Sequence, residues 1–196
     1  MSTRNRALIV LALLSSLVGG CASVPKSACQ SGDWFDIGLR DGNNGRTEDR
    51  FLDHAKACAR HNLPADREQW LAGRMRGLEQ YCTTRNGLAV GENSSRYAGV
   101  CPAVSEPGFL RGYDVGRDLA QARARLSALD GEMQRLRQRL EPRDDAPKKD
   151  GNKSRDEIPL TDKERNALAY QLGVHAVQRE QLVHEVSDIE YVARQL

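Results

Sequence analysis

From Val115 to Leu140 apolar side chains recur by fours and threes: Val115, Leu119, Ala122, Leu126, Leu129, Met133, Leu136 and Leu140. That rhythm draws one apolar stripe along a helix, and the stripe is buried only when a second helix lies against it. The heptad segment, Gly112 to Leu140, spans 29 residues and predicts a helix about 44 Å long at ~1.5 Å per residue. A partner lies downstream. Thr161 with Glu164 forms a capping box, and Leu168, Leu172, Leu182, Val186, Ile189 and Leu196 follow on one side, interrupted by His175 and Arg179. Between the two helices, residues 141–160 carry Pro142, Pro147, Pro159 and eleven charged side chains, the composition of an exposed loop. Residues 117–196 therefore predict an antiparallel helical hairpin of coiled-coil type.

Upstream the helices are shorter and rich in glycine. Asp33 is placed to cap a first one, which sets Trp34, Gly38, Gly42 and Gly45 on one face beside Phe35 and Leu39. Phe51, Leu52, Ala55, Cys58 and Ala59 predict a second, stopped at Leu63-Pro64. Asp66 and Gln69 open a third, presenting Trp70, Leu71, Leu78, Tyr81 and Cys82, with Arg74 inside that face as a functional guanidinium or, more commonly, a snorkelling side chain. Residues 83–104, with Asn86-Gly87, Gly91, Gly99 and Pro102, predict turns and loop. An aromatic residue followed by two glycines recurs as Trp34, Gly38, Gly42, as Trp70, Gly73, Gly77 and as Phe109, Gly112, Gly116. Glycine in a helix costs about 1 kcal/mol relative to alanine, so close helix crossing is the expected compensation. Residues 33–116 are expected to form one helical domain.

The N-terminus has the layout of an export signal: Arg4 and Arg6, an apolar run from Ala7 to Val18, then Gly19-Gly20-Cys21. The run is shorter than the roughly 20 residues needed to span a bilayer. Leu17 to Cys21 resembles a lipobox, so residues 1–20 are expected to be removed and Cys21 lipidated, with 21–32 as a tether. The other reading is an ordinary secretory cleavage site. Five cysteines are present; with Cys21 assigned to lipid, Cys29, Cys58, Cys82 and Cys101 remain as two disulfides in an oxidising compartment. Three pairings are open. Short loops close more readily than long ones, which favours Cys29 with Cys58 and Cys82 with Cys101.

Removing the first twenty residues takes away two arginines and no acid, leaving 27 basic and 27 acidic side chains. That balance gives no footprint for nucleic acid. His54, Cys58 and His61 stand at i, i+4 and i+7, a spacing that can present three metal ligands along a helix. A disulfide is nevertheless the commoner fate of Cys58 in such a compartment, so no metal or other cofactor is expected. Asp33, Asp36 and Asp41 suggest paired carboxylates for glycoside hydrolysis, yet a helix cap and two surface charges account for them. No nucleophile-elbow, zinc-protease, P-loop or Cys-x-x-Cys motif occurs, and catalytic residues are not expected.

Three stretches together resemble a known family. They are Asp33-Trp34-Phe35 with Ile37-Gly38, Arg40-Asp41-Gly42 and Gly45-Arg46; His54 and Cys58 with Gly77-Leu78, Tyr81-Cys82 and Asn86-Gly87; and Tyr97 with Gly99-Val100-Cys101-Pro102. The resemblance, over about residues 28–118, is to bacterial lipoproteins grouped as domain-of-unknown-function family 2799. It implies an outer-membrane lipoprotein of a Gram-negative envelope, facing the periplasm, and carries no activity or site. Ala22 after the lipidated cysteine agrees with that sorting. The expectation is an all-α, disulfide-braced domain followed by a helical hairpin, held to the membrane by its lipid and acting as a non-enzymatic interaction or assembly factor for another envelope protein. The alternative is an enzyme or ligand-binding domain acting on cell-wall material.

Overall fold

Each helix whose start the sequence marks is closed by the marked side chain. The computed structural model describes residues 24–141 and 160–196; Cys21, the signal segment and most of the predicted 141–160 loop lie outside the described residues. Seven helices occur there: α1 (Lys26–Ser31), α2 (Trp34–Asn43), α3 (Arg50–Ala59), α4 (Arg67–Tyr81), α5 (Thr84–Glu92), α6 (Glu106–Leu140) and α7 (Asp162–Ala193). The Asp36 N–H donates to Asp33 at 3.2 Å, the Gln69 N–H to Asp66 at 3.0 Å, and the Glu164 N–H to Thr161 at 3.3 Å. At Thr161 the box is reciprocal, its own N–H donating to Glu164 at 2.9 Å. The described chain is all-α.

Two compact units divide it. The first comprises residues 24–82 and 97–102, the second residues 83–96, 103–141 and 160–196. In the first unit Val24, Cys29, Trp34, Ile37, Phe51, Cys58 and Trp70 form one buried cluster, in which Phe51 sits edge-on to Trp34 at 6.0 Å and tilted on Trp70 at 5.5 Å. Cys29 is bridged to Cys58, and Cys82 to Cys101. These are the sequence-local pairs, closing loops with separations of 29 and 19 residues. The loop-entropy relation gives about 3 to 4 kcal/mol for each. Cys58→Ser and Cys101→Ser should accordingly lower the free energy of unfolding by about that much in a urea titration. A change below about 1 kcal/mol at both would show that the bridges do not brace the fold.

Glycine is what lets the helices of each unit meet. Gly38 and Gly42 of α2 face Gly73 and Gly77 of α4, and a Cβ built on any of the four would overlap backbone of the other helix. At Gly38 it would fall 2.8 Å from the Trp70 carbonyl carbon and 2.9 Å from the Arg74 nitrogen. The facing positions rise together along both chains, so the two helices run parallel. The second unit repeats this. Gly87 and Gly91 of α5 face Gly112 and Gly116 of α6 with the same overlaps, standing 49 residues after Gly38 and Gly42 and 39 after Gly73 and Gly77. Even the exits match. Asn44 and Asn93 each bond back to the carbonyl four residues earlier, at 2.6 and 2.9 Å, and the next residue, Gly45 or Ser94, has φ of 61° or 53°.

Several expectations are corrected. Residues 83–104 are not loop throughout, because Gly87 and Gly91 are contact positions of α5 and Thr83 caps it, accepting from the Asn86 N–H at 3.2 Å. The tether 21–32 includes helix α1, whose six residues are too few to show a period and are held by burial of Cys29. Leu52 is exposed and His54 buried in its place. The division falls after Cys82 rather than at 116, since α5 needs the first turns of α6 as its own glycine partner.

Beyond Gly116, α6 pairs with α7. Every heptad residue from Val115 to Leu140 is at least half-buried. Arg123 with Glu190, Arg125 with Glu185, Asp130 with Arg179 and Glu132 with His175 form cross-pairs in which α7 numbers fall as α6 numbers rise. The hairpin is antiparallel. His175 and Arg179, which interrupt the apolar seam, spend their polar groups on these pairs.

Candidate functional site

Two features stand apart from simple core formation. The first is polar and lies in the first unit. The Trp70 indole N–H donates to Asp41 Oδ2 at 2.9 Å, and His54 Nε2 lies 2.7 Å from the same oxygen. A carboxylate oxygen accepting both can only be met by an N–H, so His54 carries its proton on Nε2. Its Nδ1 is buried and has no hydrogen-bond partner. Burial raises the Asp41 pKa, but the bonds from His54 and Trp70, with the charges of His54 and Arg50, outweigh it and hold the carboxyl below its ordinary 3.8. Arg74 lies beside this group, 5.9 Å over the Trp70 ring, and its Nε donates to the Arg46 carbonyl at 2.9 Å.

The candidate residues are thus dispersed. Cys58 spends its sulfur in the bridge to Cys29 and His54 turns to Asp41, while His61 is exposed, so the His54, Cys58, His61 set is not brought together as metal ligands. Among the described residues no group of three His, Cys, Asp or Glu is arranged to hold a metal. Asp33 caps α2 and Asp36 is exposed. Asp41 corrects the surface-charge reading: it stands seven residues after Trp34 and three after Gly38, on the buried face of α2, which was the available signal. Arg74 is 5% exposed, so it does not snorkel; it ties down the turn after α2.

The second feature is the outward face of α7. Tyr170, Val174 and Val177 are exposed, as are Tyr191 and Val192 farther along. At 100° per residue these positions, with Gln181 and His184, lie opposite the seam that meets α6. Helix α7 thus carries exposed apolar residues on the face opposite its seam with α6. No helix of the described residues is long and apolar enough to cross a membrane.

The molecule is thus defined as an all-α protein of two glycine-zipped helix pairs, the first disulfide-braced and the second extended into a hairpin. Residues 33–118 match the model of a family described as "Protein of unknown function (DUF2799)", in agreement with the resemblance drawn from the sequence. No curated protein and no solved structure matches the chain.

Proposed function

We propose that this chain is a lipid-anchored bacterial envelope protein that holds another envelope protein by a helix laid against the outward face of α7. The observation that carries the reading is that face: Tyr170, Val174 and Val177 are 76%, 39% and 59% exposed, on a helix whose opposite seam is already occupied. A partner helix with an apolar stripe of its own is the complement such a face fits. The anchor is supported by the lipobox-like Leu17 to Cys21 and by cysteine arithmetic, since the other four of five cysteines are bridged in pairs. Two acyl chains or more are needed for stable retention, which a lipidated N-terminal cysteine supplies. Sorting to the periplasmic side of the outer membrane follows from Ala22.

Palmitate labelling should mark the wild type and spare Cys21→Ala; equal labelling of both would remove the anchor from the reading. In the full chain, Tyr170→Ser, Val174→Ser and Val177→Ser together should leave thermal unfolding unchanged, each site being exposed, while envelope crosslinks to the partner fall at least tenfold. Crosslinks that survive the triple substitution place the working surface elsewhere.

A further inference from the structure

The chain enters the first unit without slack. Val24 is 7% exposed and belongs to the buried cluster with Cys29, Trp34, Ile37, Phe51, Cys58 and Trp70. Pro25 follows at the start of α1, its carbonyl accepting from the Ala28 and Cys29 N–H groups at 3.0 and 3.3 Å. Cys29 is then bridged to Cys58 of α3, whose side chain is fully buried. At the exit of α1 Gly32 has a φ of 67°, a conformation open to glycine, and its carbonyl accepts from the Trp34 N–H at 2.9 Å. From Val24 to Trp34 the backbone is thus fastened to the core by a buried side chain, a bridge and a turn.

Those fastenings limit how far the unit can stand from its anchor. The proposed lipidation site, Cys21, precedes Val24 by three residues, and three fully extended residues span at most about 11 Å. A diacylglycerol joined to the sulfur holds its cysteine at the level of the lipid glycerols, and the headgroup layer outside that level is about 5 to 8 Å thick. Even at full extension Val24 lies no more than a few ångströms beyond the headgroups. Its neighbours Pro25, Lys26 and Ser27 are all exposed. Charge favours the approach, because residues 22–32 contain Lys26 and no carboxylate, so an anionic headgroup layer attracts this stretch.

We infer that the α1 side of the first unit lies on phospholipid headgroups, with Lys26 and Ser27 among the side chains that meet them. This rests on the lipid anchor proposed above and deepens it. Burial of Val24 and the Cys29–Cys58 bridge turn a general tether into a short leash, which fixes the face that meets the membrane. Were Val24 and α1 free, the leash would run twelve residues to the cap at Asp33, about 43 Å when extended, and any face of the unit could turn to the bilayer.

The test uses the full lipidated chain, its disulfides intact, in vesicles of phosphatidylethanolamine and phosphatidylglycerol, with a benzophenone amino acid in place of Ser27. Irradiation should join this residue to phospholipid, as read by mass spectrometry of the α1 peptide. Inserting about twelve glycine and serine residues between Ser23 and Val24 keeps the anchor but gives the leash a root-mean-square reach of about 22 Å. Lipid adducts should then fall about fivefold or more, while retention on the vesicles stays unchanged. No adduct from the parent chain, or equal adducts with and without the insertion, overturns the docked orientation and leaves the anchor standing. A parent chain that washes from the vesicles overturns the anchor itself, and the docking with it.

Discussion

Gly73→Ala should destabilise the protein by about 3 kcal/mol or more, whereas Gly173→Ala should stabilise it by about 1 kcal/mol. Both glycines lie within helices, and alanine is intrinsically the better helix former at either. They differ in surroundings. A Cβ on Gly73 would sit against the Phe35 carbonyl group and 2.9 Å from the Leu39 nitrogen, all backbone of α2, while at Gly173 nothing lies within 4 Å. Backbone cannot rotate aside as a side chain can, so α2 and α4 must separate, and the contacts of the buried cluster beneath them loosen together. Gly112→Ala should behave like Gly73→Ala, because it meets Thr84 and Leu88 of α5 in the same way. Urea midpoints at constant slope measure all three. Gly73→Ala within about 0.5 kcal/mol of wild type would mean that the helices do not touch through glycine.

The other large effect is expected at Asp41. Asp41→Ala leaves the Trp70 and His54 N–H groups buried without an acceptor, and removing one member of such a cluster costs about 3 to 5 kcal/mol. Asp41→Asn keeps one acceptor oxygen and should cost less. The charge also sets a pH dependence. A carboxyl held below its ordinary 3.8 in the folded chain contributes stability that is full above that value and is lost as pH falls through the lower, folded value. Wild-type stability should therefore decline below about pH 4 more steeply than that of Asp41→Asn, as read from chemical unfolding at pH 6 and pH 3.5. Parallel declines in the two proteins would contradict the cluster as described.

What could be read from the sequence followed from where information is local. Caps depend on residues three apart, and Asp33, Asp66 and Thr161 each accept from the position their motif marks. The heptad likewise needs only its own spacing, and all its members from Val115 to Leu140 are at least half-buried. Gly87 and Gly91 were hidden because Asn86-Gly87 looks like a turn until α6 is present to receive it. The repeat showed only three of its four copies for that reason. Asp41 reads as a surface charge and Arg74 as a snorkelling side chain because their partners are 13 to 29 residues distant in the chain, beyond anything a helical wheel displays. Val24 and Cys29 belong to the core through a bridge to α3, which no periodicity in a six-residue helix announces.

The outward face of α7 is the central claim, and site-specific photocrosslinking in the native envelope tests it most directly. A photoreactive residue placed at Val177 should yield one dominant adduct with another envelope protein. The same residue at Gln138 of α6, also exposed but away from that face, should yield none. Adducts of equal strength from both positions, or an adduct from Gln138 alone, would contradict the assignment of that face as the surface that holds the partner.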